Sequence, residues 1–194
     1  MISSLCYRNI CKRYYYYKNL STNINKNVND LPGGIKEENF IFLTEKLSPF
    51  MRYTFDIKVT NIQKGKLEFL IPYKKELIGN PMSTALHGGV AAAILDHAGG
   101  FSAWSALSDP RLTVSTVDLR IDYLAPAKYD GGSLFAEGTV IDLGSKLIRS
   151  DAILWNNVKK ERKLAVARGT FNIYEVMGDH DMNTIIERVI AQYQ

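Results

Sequence analysis

Hydrophobic and polar residues change rhythm several times along this 194-residue chain. Within residues 37–47, Phe40, Phe42, Leu43 and Leu47 predict a short helix that Ser48 and Pro49 would end. Residues 53–62 and 66–72 read as two strands joined by a Gln63-Lys64-Gly65 turn. A turn-rich stretch, 77–84, leads into the longest unbroken candidate helix, 87–107, about 31 Å long at 1.5 Å per residue. Four strand-like segments follow at 112–124, 133–143, 146–156 and 163–174. In the first of them Val117, Leu119, Ile121 and Tyr123 alternate with Thr116, Asp118, Arg120 and Asp122, the period of a half-buried strand. Ile185, Ile186, Val189 and Ile190 predict a peripheral helix over 181–193. The order β-β-α-β-β-β-β, with hairpin-length turns after the helix, predicts an α+β fold. One antiparallel six-stranded sheet would lay its apolar face on a single central helix.

Composition adds a boundary. With 46% hydrophobic and 23% charged residues the chain fits one globular domain, and disordered, collagenous and disulfide-stapled classes are excluded. The net charge of +4 is unevenly placed. Residues 1–29 contain no acid and five cations, Arg8, Lys12, Arg13, Lys18 and Lys26, which leaves the rest of the chain close to neutral. The basic pI therefore does not argue for nucleic-acid binding. An acid-free, Ser-containing start without a long apolar run resembles an organellar transit peptide more than a secretory signal, and predicts a mitochondrial location; the alternative is a plain unstructured extension of a cytoplasmic protein. The expected organisation is a leader and linker over 1–34, a folded domain over 35–178 and a terminal helix over 179–194. Both cysteines, Cys6 and Cys11, fall in the leader, so the domain has no thiol for a disulfide, a zinc site or nucleophilic attack. His87 and His97, ten apart with Asp96 beside one of them, match no metal-ligand spacing, and neither a metal nor another cofactor is expected.

The long helix carries the candidate chemistry. From Gly88 to Leu107 it has no Lys, Arg or Glu, so both of its faces are expected to be covered. A membrane span is rejected, because Asp96 and His97 sit at its centre and its apolar residues are mostly alanine. Two readings of Asp96 stand: a buried carboxylate satisfied by backbone, Arg120 or Arg149, or a general base or nucleophile with a tuned pKa. His87-Gly88-Gly89 places two residues without side chains at the first turn, where unpaired N–H groups and the positive dipole end can polarise a carbonyl. A plain Gly-Gly turn is the alternative there. Gly89 and Asp96 share a face but lie about 10.5 Å apart along the axis, too far for one Asp to serve a carbonyl at its own helix start. Two antiparallel helices about a two-fold axis would solve this, which implies a homodimer with composite sites.

These residues give the chain a resemblance to the hotdog-fold thioesterases of the PaaI-like branch, over about residues 53–174. The resemblance is carried by Glu76-Leu77-Ile78-Gly79-Asn80-Pro81, Leu86-His87-Gly88-Gly89-Val90, Leu95-Asp96-His97-Ala98-Gly99-Gly100 and the stretch Thr116-Val117-Asp118-Leu119-Arg120-Ile121-Asp122-Tyr123-Leu124-Ala125-Pro126. It implies a curved sheet wrapped around the helix, a homodimer or a dimer of such dimers, and hydrolysis of acyl-CoA at the interface. By the same resemblance, the Gly89 amide would polarise the thioester carbonyl, and Asp96 from the partner would activate water or attack. Asn80 would position the carbonyl or the water, Thr116 would bond the water or Asp96, and His87 would support the loop or simply bond backbone. His97 would pack or bond locally. Lys128 and Lys146 are the candidates for the CoA phosphates, or else plain surface lysines. The seven-residue spacing from Asn80 to His87 departs from the six of some eukaryotic members of the family. A hotdog hydratase or dehydratase and a non-catalytic acyl-CoA or acyl-carrier binder are the alternatives. The Asp before Asn-Pro and the His after it, which mark the hydratases, are absent here.

Overall fold

The structure, a computed structural model, describes residues 31, 35–48, 50–175 and 182–192. The expected leader thus lies outside the described residues except for Leu31, which is buried in the core. Helix α1 (Glu37–Phe42) continues in wider π geometry over Leu43–Leu47, and a second π-helical turn spans Met51–Phe55. This turn corrects the expected strand over 53–62, which begins only at Lys58. Phe55, Ile57 and Val59 are all buried, so the period-two signal runs unbroken across the helix end. The change of direction comes from Asp56, in the left-handed region at φ 49°, and from Phe50 packed edge-on to Phe55 at 5.2 Å.

The remaining elements follow the predicted order. Strands β1 (Lys58–Gln63) and β2 (Lys66–Pro72) form a hairpin. The turn-rich stretch contains a small ladder, β3 (Ile78–Asn80) with β4 (Ala85–Leu86), directly before the central helix α2 (Gly88–Ser105). Then come β5 (Leu112–Tyr123), β6 (Ser133–Leu143), β7 (Leu147–Trp155), β8 (Lys163–Glu175) and a terminal helix, α3 (Met182–Gln192), whose Ile186 is fully buried. The main sheet is antiparallel throughout, in the order β1-β2-β6-β7-β8-β5, so β5 is an edge strand.

Helix α2 lies against β2, β6, β7, β8 and β5, and its Ile94, Leu95 and Ala98 are fully buried. Small residues permit this approach. A Cβ at Gly138 in β6 would stand 2.1 Å from the Ala98 carbonyl oxygen, so only hydrogen fits where sheet and helix backbones meet. The opposite stripe of α2 differs from expectation. Gly88 and Gly89 are exposed, and Val90, Ala93, Asp96 and Gly100 are only half-buried, because the sheet of a single chain covers one side of the helix. Among the described residues no helix is long and apolar enough to cross a membrane.

Candidate active site

The start of α2 is held by the β3–β4 ladder. His87 N–H donates to the Leu77 carbonyl at 2.9 Å and Leu86 N–H to the Ala127 carbonyl at 2.9 Å. A Cβ at Gly79 would sit 2.6 Å from His87 Cα, so the ladder rests directly on the helix cap. Tyr73 fastens the same corner, its hydroxyl donating to the Ala127 carbonyl at 2.8 Å with the Thr84 carbonyl 3.3 Å away. Burial, together with the nearby Asp130 carboxylate, pushes the Tyr73 phenol up to about 12, so it stays a donor. Asn80 is exposed, and its Oδ1 accepts from Met82 N–H at 2.9 Å, closing the turn.

His87 caps the helix. Its backbone is extended, and its Nδ1 accepts the Gly89 N–H at 3.0 Å, which places the proton of the neutral ring on Nε2. The amide expected to meet a carbonyl is therefore already engaged by the imidazole, and a ligand oxygen must displace an exposed ring to reach it. Tyr123 in β5 donates its hydroxyl to the Gly88 carbonyl at 3.0 Å, tying the strand to this turn.

Two helical turns further on, Thr116 Oγ1 donates to Asp96 Oδ1 at 2.8 Å. The contact forms because β5 runs back along α2, so Thr116 reaches Asp96 while Tyr123 reaches Gly88. The expected arginine partners are elsewhere: Arg120 lies 3.5 Å from Asp122, and Arg149 pairs with Asp142. Among the described residues no cation pairs with Asp96. A half-buried carboxylate with one oxygen oriented by a hydroxyl and no counter-ion is available to accept a proton.

His97, next in sequence, points the other way. Its Nε2 donates to the Thr44 carbonyl at 3.0 Å, and its ring packs at 4.4 Å on Phe101 and 5.7 Å edge-on to Phe69. Burial drives its pKa down to about 4, only partly opposed by the hydrogen bond to Thr44, so the ring is neutral and structural. Its partner, however, is 53 residues away rather than local.

Two cavities open between α2 and β5. One, of about 370 Å³, lies at the helix start and is lined by Leu86, Gly88, Ala91, Tyr123, Leu124 and Pro126 among others. The second, of about 290 Å³, adjoins Asp96 and Thr116 and is walled by Phe101, Trp104, Val114 and Phe171. Sequence reasoning missed these walls, although Gly100 and Trp104, four and eight residues beyond Asp96, carry a readable signal. Lys128 is exposed one residue past Ala127, which lines the first cavity. Lys146 is exposed at the β6–β7 turn and borders neither cavity. Asp96 and Thr116 are thus brought together, as are His87 and Gly89. Asn80 stands on the flanking ladder.

The profile of the thioesterase superfamily matches residues 84–162. A candidate esterase of Halobacterium salinarum is 32% identical over 124 residues, which cover 61% of this chain and 80% of that protein. The medium/long-chain acyl-CoA thioesterase YigI of Salmonella typhimurium is 27% identical over 134 residues, covering 63% and 82%. In three dimensions the chain resembles a thioesterase of Haemophilus influenzae, with a TM-score of 0.63 at 20% identity over 78% of this chain and 99% of the other. It also resembles the PaaI protein of Escherichia coli, with a TM-score of 0.53 at 20% identity over 64% and 82%.

Proposed function

The chain belongs to the thioesterase superfamily and is a hotdog-fold thioester hydrolase, and from that premise we propose that it cleaves acyl-CoA into free CoA and a carboxylic acid. The observation that carries this reading is Asp96, oriented by Thr116 at 2.8 Å, without a counter-ion among the described residues, and lining a largely apolar cavity. The thioester carbonyl takes the place of the His87 ring at the Gly89 N–H, where the helix dipole favours developing negative charge. Asp96 of the partner subunit removes a proton from water as the water oxygen bonds to the carbonyl carbon, giving a tetrahedral oxyanion. Collapse of that intermediate breaks the C–S bond, and the departing thiolate takes the proton from Asp96. Thr116 fixes the carboxylate and Asn80 positions the water. Lys128, beside the cavity at the helix start, meets a CoA phosphate, with Lys146 as a second contact.

A homodimer is part of this reading. The exposed stripe of α2 lies beside the free edge of β5, whose Val117 is 62% exposed, and joining two such edges would bring one helix start to the other's Asp96. Asp96→Asn should keep the fold and lower thiol release from acyl-CoA by at least about 10²-fold. Wild-type turnover in a folded Asp96→Asn protein would remove Asp96 from the mechanism.

A further inference from the structure

We propose that the cavity beside Asp96 is a slot for one acyl tail of medium length, roughly eight carbons along about 12 Å of helix, kept open by Gly100 and closed at its far end by Trp104. The proposal rests on the acyl-CoA reading above and deepens it by naming the substrate class. Gly100 and Trp104 follow Asp96 by one and two steps of four residues, so the three positions succeed one another along one side of α2 at about 6 and 12 Å from the carboxylate. Thr116 and Asp96 form the polar end, where the thioester belongs, and Phe101, Val114 and Phe171 supply apolar walls.

Gly100 is the informative residue. Glycine weakens the interior of a helix, so it needs a reason to be there. Gly99 has one in packing: a Cβ would stand 3.0 Å from Ser150 Oγ and 3.1 Å from Phe171 Cζ. Gly100 has none, since a Cβ would meet nothing nearer than Phe171 Cε1 at 3.4 Å, an ordinary contact. What it would fill is the cavity itself. The far wall is rigid for equally visible reasons. Trp104 is 5% exposed, its Nε1 donates to the Leu112 carbonyl at 3.1 Å, and its ring lies against Phe40 at 4.8 Å and Phe101 at 5.6 Å. A volume of about 290 Å³ is at the small end for ligand pockets, in keeping with a single tail of medium length.

The test is thiol release by the full chain from straight-chain acyl-CoAs, acetyl to palmitoyl, with kcat/KM as the readout. Wild type should peak at medium length. Gly100→Ala, a better helix former and therefore safe to fold, should move the peak to shorter tails and lower the octanoyl-to-butanoyl ratio of kcat/KM by at least about tenfold. Trp104→Ala, checked for folding by circular dichroism, should move it to longer ones. A folded, active Gly100→Ala enzyme with the wild-type profile overturns the slot. A wild-type chain that releases thiol from none of the series overturns the hydrolysis reading on which the slot depends.

Discussion

The His97 imidazole, packed between Phe69 and Phe101 and donating to the Thr44 carbonyl, ties α2 to the π-helical turn after α1. Its pKa, near 4 in the folded chain, lies below the 6.5 of an unfolded histidine. The unfolded chain therefore takes up the proton first. This group's contribution is fully present above pH 6.5 and is lost as pH falls toward 4. Between pH 7 and pH 5 the loss is about 2 kcal/mol. Denaturant unfolding at the two pH values should reveal that difference, and His97→Gln, which can still donate to Thr44, should remove most of it. An equal acid loss in both proteins would place the sensitivity elsewhere. Asp96, one residue earlier, was recognisable in sequence as an acid that an apolar helix does not need. That its partner is Thr116, one of the two roles the family resemblance implied for that residue, and not Arg120 or Arg149, is fixed by β5 running back along the helix.

Elements were legible where one period ruled. Strands β2 and β6 begin and end where the sequence pattern puts them, and β5, β7, β8 and α2 fall within two residues of it. The pattern failed at 53–57, where alternation and helical spacing coincide on Phe55, and in 77–84, where turn residues hid a short ladder. Two glycines separate what these elements do. At Gly138 a methyl group would meet the Ala98 carbonyl oxygen, which has no rotamer to retreat into, so Gly138→Ala should cost about 3 kcal/mol of stability in thermal or denaturant melts. At Gly79 the methyl meets the His87 backbone, outside the main sheet. Gly79→Ala should leave most of the melting temperature intact while lowering kcat/KM, because the ladder then pushes the cap of α2 out of place. A large loss of stability at Gly79 and none of activity would reverse these assignments.

For the molecule as a whole, the composite site makes a prediction about which chain supplies which group. Asp96→Asn removes the base, and Gly89→Pro removes the Gly89 N–H within the first turn, where no intrahelical hydrogen bond is lost. If sites are composite, each variant alone is inactive. Mixing them by unfolding and refolding together should then restore about a quarter of wild-type activity, since half the dimers are hybrids and each hybrid has one intact site. No recovery in proven hybrids would place both groups in one chain. The sequence by itself determined the fold class, the central helix and the residues that bear chemistry. Periodicity and the absence of charge are local properties, and His87, Gly89 and Asp96 are conspicuous against them. Tertiary structure alone decided that the helix has an uncovered stripe, that His87 occupies the Gly89 amide, that Asp96 pairs with Thr116 and with neither arginine, and that Gly100 and Trp104 frame a cavity. Each depends on which side of α2 the sheet covers, and that follows from the packing of distant strands.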